Sequence, residues 1–125
     1  MKELVGMGFV KVGDWVLQGN GIDFSLQKES DKNKVLYSFI ENNTIVYIGQ
    51  STNTLHKRMY QYKNPDSTQE TNVRVNDKIK KSLKEGKRIE IYAIEYDDSF
   101  AKDLLIETET RLIDSKRPIW NKQGK

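Results

Sequence analysis

A short turn between two strand-like runs constrains the fold of this chain more than any other feature. Val35–Ile40 and Thr44–Ile48 are rich in β-branched and aromatic residues, and Glu-Asn-Asn at 41–43 favours a turn between them. Two strands joined by so short a connection have to pair antiparallel. Tyr37 and Tyr47 lie on these two strands, and cross-strand pairing can bring their side chains into one neighbourhood. The pattern leaves open whether both tyrosines face the same side.

The segments around this hairpin predict another hairpin before it and helices after it. An isolated hairpin is only marginally stable in water, so we expect the first one to pack against the main domain or a second chain. The predicted elements are a β-hairpin from Gly8 to Leu26 turning at Gly19-Asn20-Gly21, a polar connector over 28–34, the strands at 35–40 and 44–48 with a strand end at Gly49, a helix capped within Ser51–Asn53 with Leu55, Met59 and Tyr62 on one face, a helix from about Arg74 to Lys84, a strand over 89–94, and a helix from about Ser99 to Ser115 with Leu105, Leu112 and Ile113 inward.

These elements predict an α+β fold with a small antiparallel or mixed three-stranded sheet flanked by helices and preceded by an N-terminal β-hairpin. We expect two parts, the hairpin extension and connector at 1–34 and the main domain at 35–125. Trp15 in the first hairpin is interpreted as a packing anchor, with base stacking or insertion into a groove of DNA as the alternative.

The residue types that are missing limit the kind of metal site. There is no cysteine and only one histidine, His56, which excludes disulfides and sites built from cysteine or several histidines. A catalytic metal would have to be held by carboxylate and water, the ligands that Mg²⁺ or Mn²⁺ prefer. No apolar run approaches the roughly 20 residues that span a bilayer, and the N-terminal residues lack the apolar stretch of a secretory signal. We therefore expect a cytoplasmic protein that does not bind membranes.

Positive charge is concentrated in the middle of the chain. The net charge is only +3, but the segment from His56 to Arg88 carries ten Lys or Arg against four Asp or Glu. Such a segment suits a polyanion such as nucleic acid, although a solvated helix face has a similar composition. His56 is interpreted as a surface residue, or else as a phosphate contact. The candidate contacts to a DNA backbone are Lys57, Lys63, Arg74, Lys78 and Lys81.

Two motifs together resemble the GIY-YIG nuclease family. Tyr47-Ile48-Gly49 is followed by Leu55 and Arg58 in the spacing Tyr-Ile-Gly-x5-Leu-x2-Arg, which has the family's second tripeptide unaltered. Val35-Leu36-Tyr37 stands where the family has its first tripeptide, with Val-Leu in place of Gly-Ile. Gln50 is a second departure, because many relatives have a lysine after the second tripeptide.

The C-terminal part matches the same family independently. Its signature is a helical glutamate, an apolar pair three and four residues later, then a proline and an asparagine. Glu109, Leu112-Ile113, Pro118 and Asn121 have this spacing. The register selects Glu109 over Glu107, which we keep as the second candidate. The resemblance extends over about residues 35 to 121.

The resemblance implies a metal-dependent DNA endonuclease, of restriction, mobile-element or repair origin, with a compact form closest to small restriction-type enzymes that cut as homodimers. Glu109 would be the single protein ligand of the metal, and Arg58 would hold the phosphate. Tyr37 is the candidate general base and Tyr47 would orient the water, although these two roles could be exchanged. A phenol near pKa 10 would need cationic neighbours to act as a base. The competing hypothesis is a nucleic-acid-binding domain of the same fold without activity.

In the same comparison Asn121 would hold the C-terminal segment near the active centre. Gly49, Leu55 and Pro118 would be structural members of the motifs.

Overall fold

A five-stranded sheet with helices on both faces organises the chain. The computed structural model describes residues 1–28 and 30–122. The strand order is β2-β1-β5-β3-β4, and every neighbouring pair is antiparallel. In chain order the elements are α1 (Lys2–Gly6), β1 (Val10–Gln18), β2 (Gly21–Leu26), β3 (Lys34–Glu41), β4 (Thr44–Ser51), α2 (Leu55–Lys63), α3 (Glu70–Lys84), β5 (Ile89–Tyr96) and α4 (Lys102–Lys116).

The N-terminal hairpin belongs to this sheet. The α+β class is confirmed, but the prediction of three strands is wrong, because β1 pairs with the free edge of β5 from Val10↔Ala93 to Trp15↔Ile89. Of the two expected partners, the main domain and a second chain, the hairpin packs on the main domain. Trp15 is 2% exposed and lies edge-on to Phe39 at 5.7 Å, so it is a packing anchor and has no surface for base stacking.

Strand β3 is buried on both faces and separates two core layers. Tyr37 and Phe39 point into the layer under α2 and α3, whereas Leu36 and Ile40 point into the layer that α1 and α4 cover through Leu4 and Leu105. This alternation follows from the period of two along a strand. Complete burial of β3 fixes its register, because a slip by one residue would exchange the two faces. The tyrosine of the first motif is therefore placed firmly in the core.

Several element boundaries differ from the sequence prediction. Strand β4 does not end at Gly49 but continues to Ser51, because both residues pair with β3. The cap of α2 is Thr54, whose side chain accepts the amide of Lys57, rather than a residue of 51–53. Helix α3 begins one turn earlier than predicted, at Glu70, and the short helix α1 was not predicted. Within the described residues, no helix combines the length and the apolar character needed to cross a membrane.

Candidate active site

The two motif tyrosines lie on the same face of the sheet. Tyr37 pairs with Gly49, and Phe39 pairs with Tyr47, so the two tyrosines are diagonal neighbours across β3 and β4. Their ring centroids are 6.4 Å apart. This register answers the question that the turn length left open, since a diagonal pair on one face can share hydrogen-bond partners.

Gly49 leaves the space that the ring of Tyr37 occupies. A Cβ atom built on Gly49 would lie 2.6 Å from both Cζ and Oη of Tyr37. No unstrained carbon contact is this short, so any side chain at position 49 would displace the ring. The glycine of the second tripeptide is thus part of the tyrosine site rather than the end of a strand.

Tyr62 is the centre of the hydrogen-bond network that joins Tyr37, Tyr47 and Arg58, a role that the sequence analysis did not assign to it. Its hydroxyl is 2.6 Å from the hydroxyl of Tyr37 and 3.1 Å from that of Tyr47. Arg58 donates from Nη2 to Tyr62 at 2.8 Å and from Nε to Tyr37 at 3.0 Å. The sequence offered one signal: Tyr62 follows Arg58 by four residues in α2, so both lie on one helical face. Sequence analysis placed Tyr62 only among the core residues.

The hydrogen bonds run in one direction and end on Tyr47. The hydroxyl of Tyr62 donates to Tyr47, and a hydroxyl has only one proton to donate. Tyr62 therefore accepts from Tyr37, which itself accepts from Arg58. The guanidinium is also fixed by Gln61, whose Oε1 accepts from Nη1 at 2.7 Å. Charge that develops on the oxygen of Tyr47 meets a chain of donors that starts at a cation.

Burial raises the pKa of all three tyrosines and so strengthens their preference for the neutral form. Desolvation raises the pKa of Tyr37 and of Tyr62 well above the ordinary value of a phenol, and it also raises the pKa of Tyr47. The guanidinium of Arg58 acts in the opposite direction on all three, but its effect is smaller than that of burial. Arg58 alone does not supply the lowered pKa that a tyrosine base would need.

We expect the buried tyrosines to ionise only as the protein unfolds. A phenol with a raised folded-state pKa contributes stability below the unfolded value of about 10, and this contribution is lost as the pH rises further. Phenolate absorbance and circular dichroism should be followed together in an alkaline titration. Ionisation of Tyr37 and Tyr62 near pH 10 in a folded protein would contradict this expectation; Tyr37→Phe and Tyr62→Phe identify their contributions.

Of the two candidate glutamates, Glu109 is the one beside the network. Its half-buried carboxylate accepts a hydrogen bond from the backbone amide of Gln50, and the charge of Arg58 acts on it. Burial raises the pKa of Glu109 more than these two contacts lower it. Glu107 is exposed and forms an ion pair with Arg111 at 2.8 Å. The two carboxylates therefore have different environments on one helix.

The surroundings of Glu109 suit a metal ion that keeps most of its water ligands, rather than an ion enclosed by several protein ligands. Over residues 1–28 and 30–122 there is no group of three or more His, Cys, Asp or Glu able to hold a metal. In the same ranges Glu109 has no ion-pair partner within 4.0 Å, so its buried charge is only partly compensated. Mg²⁺ keeps several waters and is often held by one or two carboxylates together with substrate phosphates. The site therefore fits an ion of this kind.

The C-terminal segment closes the edge of β4. The side-chain amide of Asn121 accepts from the backbone N–H of Ile48 at 3.0 Å and donates to its carbonyl at 2.9 Å. The amide of Trp120 donates to the carbonyl of Val46 at 2.8 Å. Asn121 thus pairs with the strand of Tyr47 in the way that another strand would. Pro118 and Leu55, the other structural members of the motifs, are both buried.

The five predicted DNA contacts have different surroundings. Lys57, Lys78 and Lys81 are exposed. Lys63 forms an ion pair with Asp23 of β2 at 3.0 Å, so its ammonium helps to hold α2 on the N-terminal hairpin. Arg74 is partly buried and donates to the carbonyl of Trp120 at 3.1 Å.

His56 is exposed and lies edge-on to Phe24 at 5.2 Å, as its interpretation as a surface residue expects.

The fold and the grouping of two tripeptide tyrosines, a helical arginine and a glutamate define a catalytic domain of the GIY-YIG type. A family model described as the GIY-YIG catalytic domain matches residues 33–123, and the chain belongs to the GIY-YIG nuclease family. It is therefore an enzyme of the phosphodiester-hydrolysing class.

Two solved structures resemble the chain along most of its length. A mutant of bacteriophage T4 EndoII has a TM-score of 0.73 and 26% identity, and 98% of each chain is covered. The restriction endonuclease Hpy188I in complex with product DNA has a TM-score of 0.58 and 19% identity, with 93% of this chain and 80% of that chain covered. The second likeness concerns the fold alone. A comparison with curated protein sequences gives no match.

Proposed function

We propose that the chain is a metal-dependent endonuclease that hydrolyses phosphodiester bonds in DNA. The observation that carries this proposal is that Arg58, Tyr47 and Glu109 act on one another. Hydrogen bonds through Tyr62 connect Arg58 with Tyr47. The charge of Glu109 acts on Tyr47. A cation, a proton-transferring hydroxyl and a partly compensated carboxylate at one place are what phosphate hydrolysis requires. DNA as the substrate is supported by the basic segment and by a structural neighbour that was solved with product DNA.

Arg58 and Glu109 have different roles toward the phosphate. Arg58 stays protonated and would bind a non-bridging oxygen, where it offsets the charge that develops in the transition state. Glu109 would hold the metal with one carboxylate. Bound there, Mg²⁺ or Mn²⁺ supplies Lewis-acid polarisation of the phosphate and charge neutralisation at the leaving 3′ oxygen. The backbone amide of Gln50 orients the carboxylate by hydrogen bonding.

Tyr47 is a better general base than Tyr37, so the roles assigned from the sequence are exchanged in this proposal. Tyr47 is 6% exposed, whereas Tyr37 is 1% exposed and its hydroxyl is enclosed by Tyr62 and Arg58. The phenolate form of Tyr47 would take a proton from water while the water oxygen attacks phosphorus. The donated hydrogen bond from Tyr62 stabilises that phenolate. Tyr37 then acts as a positioning residue that orients Tyr62.

We expect Tyr47→Phe to be more damaging than Tyr37→Phe. Loss of a general base lowers a rate by about 100-fold to 10,000-fold. Because burial raises the pKa of Tyr47, its phenolate fraction below that pKa increases about tenfold per pH unit. The single-turnover nicking rate of the unaltered chain should therefore rise with pH, and the rise should be weaker in Tyr47→Phe. A larger loss and a flattened profile in Tyr37→Phe instead would return the role of base to Tyr37.

The activity itself is tested with supercoiled plasmid. Nicking should require Mg²⁺ or Mn²⁺ and should disappear when EDTA is added. Tight DNA binding without nicking, across metals and substrates, would support the competing hypothesis of a binding domain.

We further propose that the enzyme acts as a homodimer in the cytoplasm. The described part of the chain carries one such site, and cleavage of both strands of a duplex is most direct with two sites. Light scattering of the protein bound to a short duplex measures whether two chains assemble.

A further inference from the structure

Arg74 has hydrogen-bonding capacity that the fold does not use. Its Nη2 donates to the carbonyl of Trp120 at 3.1 Å, whereas its Nη1 is buried and has no hydrogen-bond partner. Among the described residues, no carboxylate lies within ion-pair distance of Arg74, and Glu70, one turn earlier on α3, pairs with Lys122 at 2.9 Å. A buried guanidinium nitrogen without an acceptor destabilises the folded state.

The guanidinium of Arg74 acts electrostatically on the proposed general base. Its charge lowers the pKa of Tyr47, together with the charge of Arg58. The contact with Trp120 explains this position, because the amide of Trp120 pairs with Val46, the residue before Tyr47. Arg74 is thus fixed on the strand of Tyr47 by the C-terminal segment. Two arginines from two helices, α2 and α3, act on one hydroxyl.

A purely structural role does not account for this arrangement. One hydrogen bond to a carbonyl needs one donor, which a neutral amide side chain supplies without a buried charge. The guanidinium instead keeps a fixed positive charge and an unused N–H next to the catalytic groups. Both are suited to a phosphate oxygen, which accepts charge-assisted hydrogen bonds from arginine.

We propose that Arg74 is a second phosphate-binding cation of the active site, whose partly buried guanidinium binds an oxygen of the phosphodiester being cleaved. This inference rests on the proposed function and changes the role of Arg74 from a peripheral backbone contact to a catalytic residue. Arg58 and Arg74 then offset the charge of the transition state from two directions.

The test is Arg74→Gln, which keeps a donor for the carbonyl of Trp120 and removes the charge. At saturating enzyme, we expect the single-turnover nicking rate to fall about 100-fold, the loss typical of one preorganised donor in a transition state. The melting temperature should change little. Arg111→Gln on α4 is the matched control, because Arg111 is exposed and pairs only with Glu107, and its nicking rate should be unchanged. Arg74→Lys, which keeps the charge without the planar fork, should have an intermediate rate.

A second measurement does not depend on cleavage. With inorganic phosphate as the probe, compared with chloride at equal ionic strength, the unaltered chain and Arg111→Gln should gain melting temperature and Arg74→Gln should gain less. If the unaltered chain does not nick DNA, the proposed function fails, and the phosphate measurement still decides the role of Arg74. If Arg74→Gln nicks at the unaltered rate when saturated and only binds DNA more weakly, Arg74 is a peripheral contact. Arg74 is a structural residue if Arg74→Lys and Arg74→Gln both melt at a lower temperature than the unaltered chain and both gain as much melting temperature from phosphate as it does.

Discussion

Replacement of Glu109 by glutamine should abolish metal-dependent nicking and at the same time stabilise the metal-free protein. The proposed metal ligand is lost, so we expect the nicking rate to fall about 1,000-fold or more. Burial raises the pKa of Glu109, which means that the folded state disfavours its ionised form. Glutamine has nearly the same shape and can still accept the amide of Gln50, but it has no charge to desolvate. Activity and stability should therefore change in opposite directions.

The pH dependence of this stabilisation follows from the direction of the pKa shift. A carboxyl with a raised folded-state pKa is most favourable to folding below its unfolded pKa of about 4, and this advantage is lost as the pH rises through the folded value. In EDTA, the melting temperatures of the unaltered chain and of Glu109→Gln should be similar at low pH. At neutral pH the variant should melt at a higher temperature than the unaltered chain.

Glu107→Gln is the matched control on the same helix. Glu107 is exposed and pairs with Arg111, so we expect nearly unaltered nicking and a melting temperature close to that of the unaltered chain. If Glu107→Gln lost activity and Glu109→Gln kept it, the register of the C-terminal motif would be wrong by two residues. Retained nicking in both variants would remove the single-carboxylate mechanism altogether.

Gly49→Ala should have the largest effect of any small substitution near the site. The added Cβ would lie 2.6 Å from Cζ and Oη of Tyr37 and 2.9 Å from Cε1, atoms of a rigid and fully buried ring. Either the ring or strand β4 has to move, and overpacking of this kind typically costs about 1–3 kcal/mol. Movement of the ring also breaks the hydrogen bonds of Tyr37 to Tyr62 and Arg58. We therefore expect both the free energy of unfolding and the nicking rate to fall.

Denaturant unfolding and plasmid nicking measure these two consequences. Gly6→Ala is the control, because a Cβ at Gly6 meets nothing within 4 Å and alanine favours the helix in which Gly6 lies. Its free energy of unfolding should be unchanged or slightly higher. A Gly49→Ala protein with unaltered stability and activity would show that the strand accommodates the methyl group without moving Tyr37.

The parts of the site that could be predicted from sequence are those with local spacing. The hairpin of Tyr37 and Tyr47 and the helix of Arg58 have periodic patterns that specify them within short windows. Glu109 could be placed only by its distance from downstream landmarks, since an isolated glutamate on a helix has no distinguishing pattern. The catalytic roles of these residues are predictions, which the variants above test.

The parts that could not be predicted depend on contacts between distant segments. The pairing of β1 with β5 joins segments about 80 residues apart, and no local pattern specifies which free edge a strand will take. The place of Tyr62 depends on α2 lying over β3 and β4, so its hydroxyl was not recognisable as part of the site. The burial that raises the pKa of the tyrosines is likewise a property of the assembled core.

The clamp of Asn121 on Ile48 also decides how molecules of this protein can meet. An open sheet edge offers its backbone groups to a strand of another molecule, which is a route to aggregation. Of the two edges, β4 has its amide and carbonyl at Ile48 already satisfied by Asn121. Strand β2 is the opposite edge, on the far side of the sheet from Tyr47. Intermolecular strand pairing is thereby expected at the N-terminal hairpin rather than at the strand that carries Tyr47.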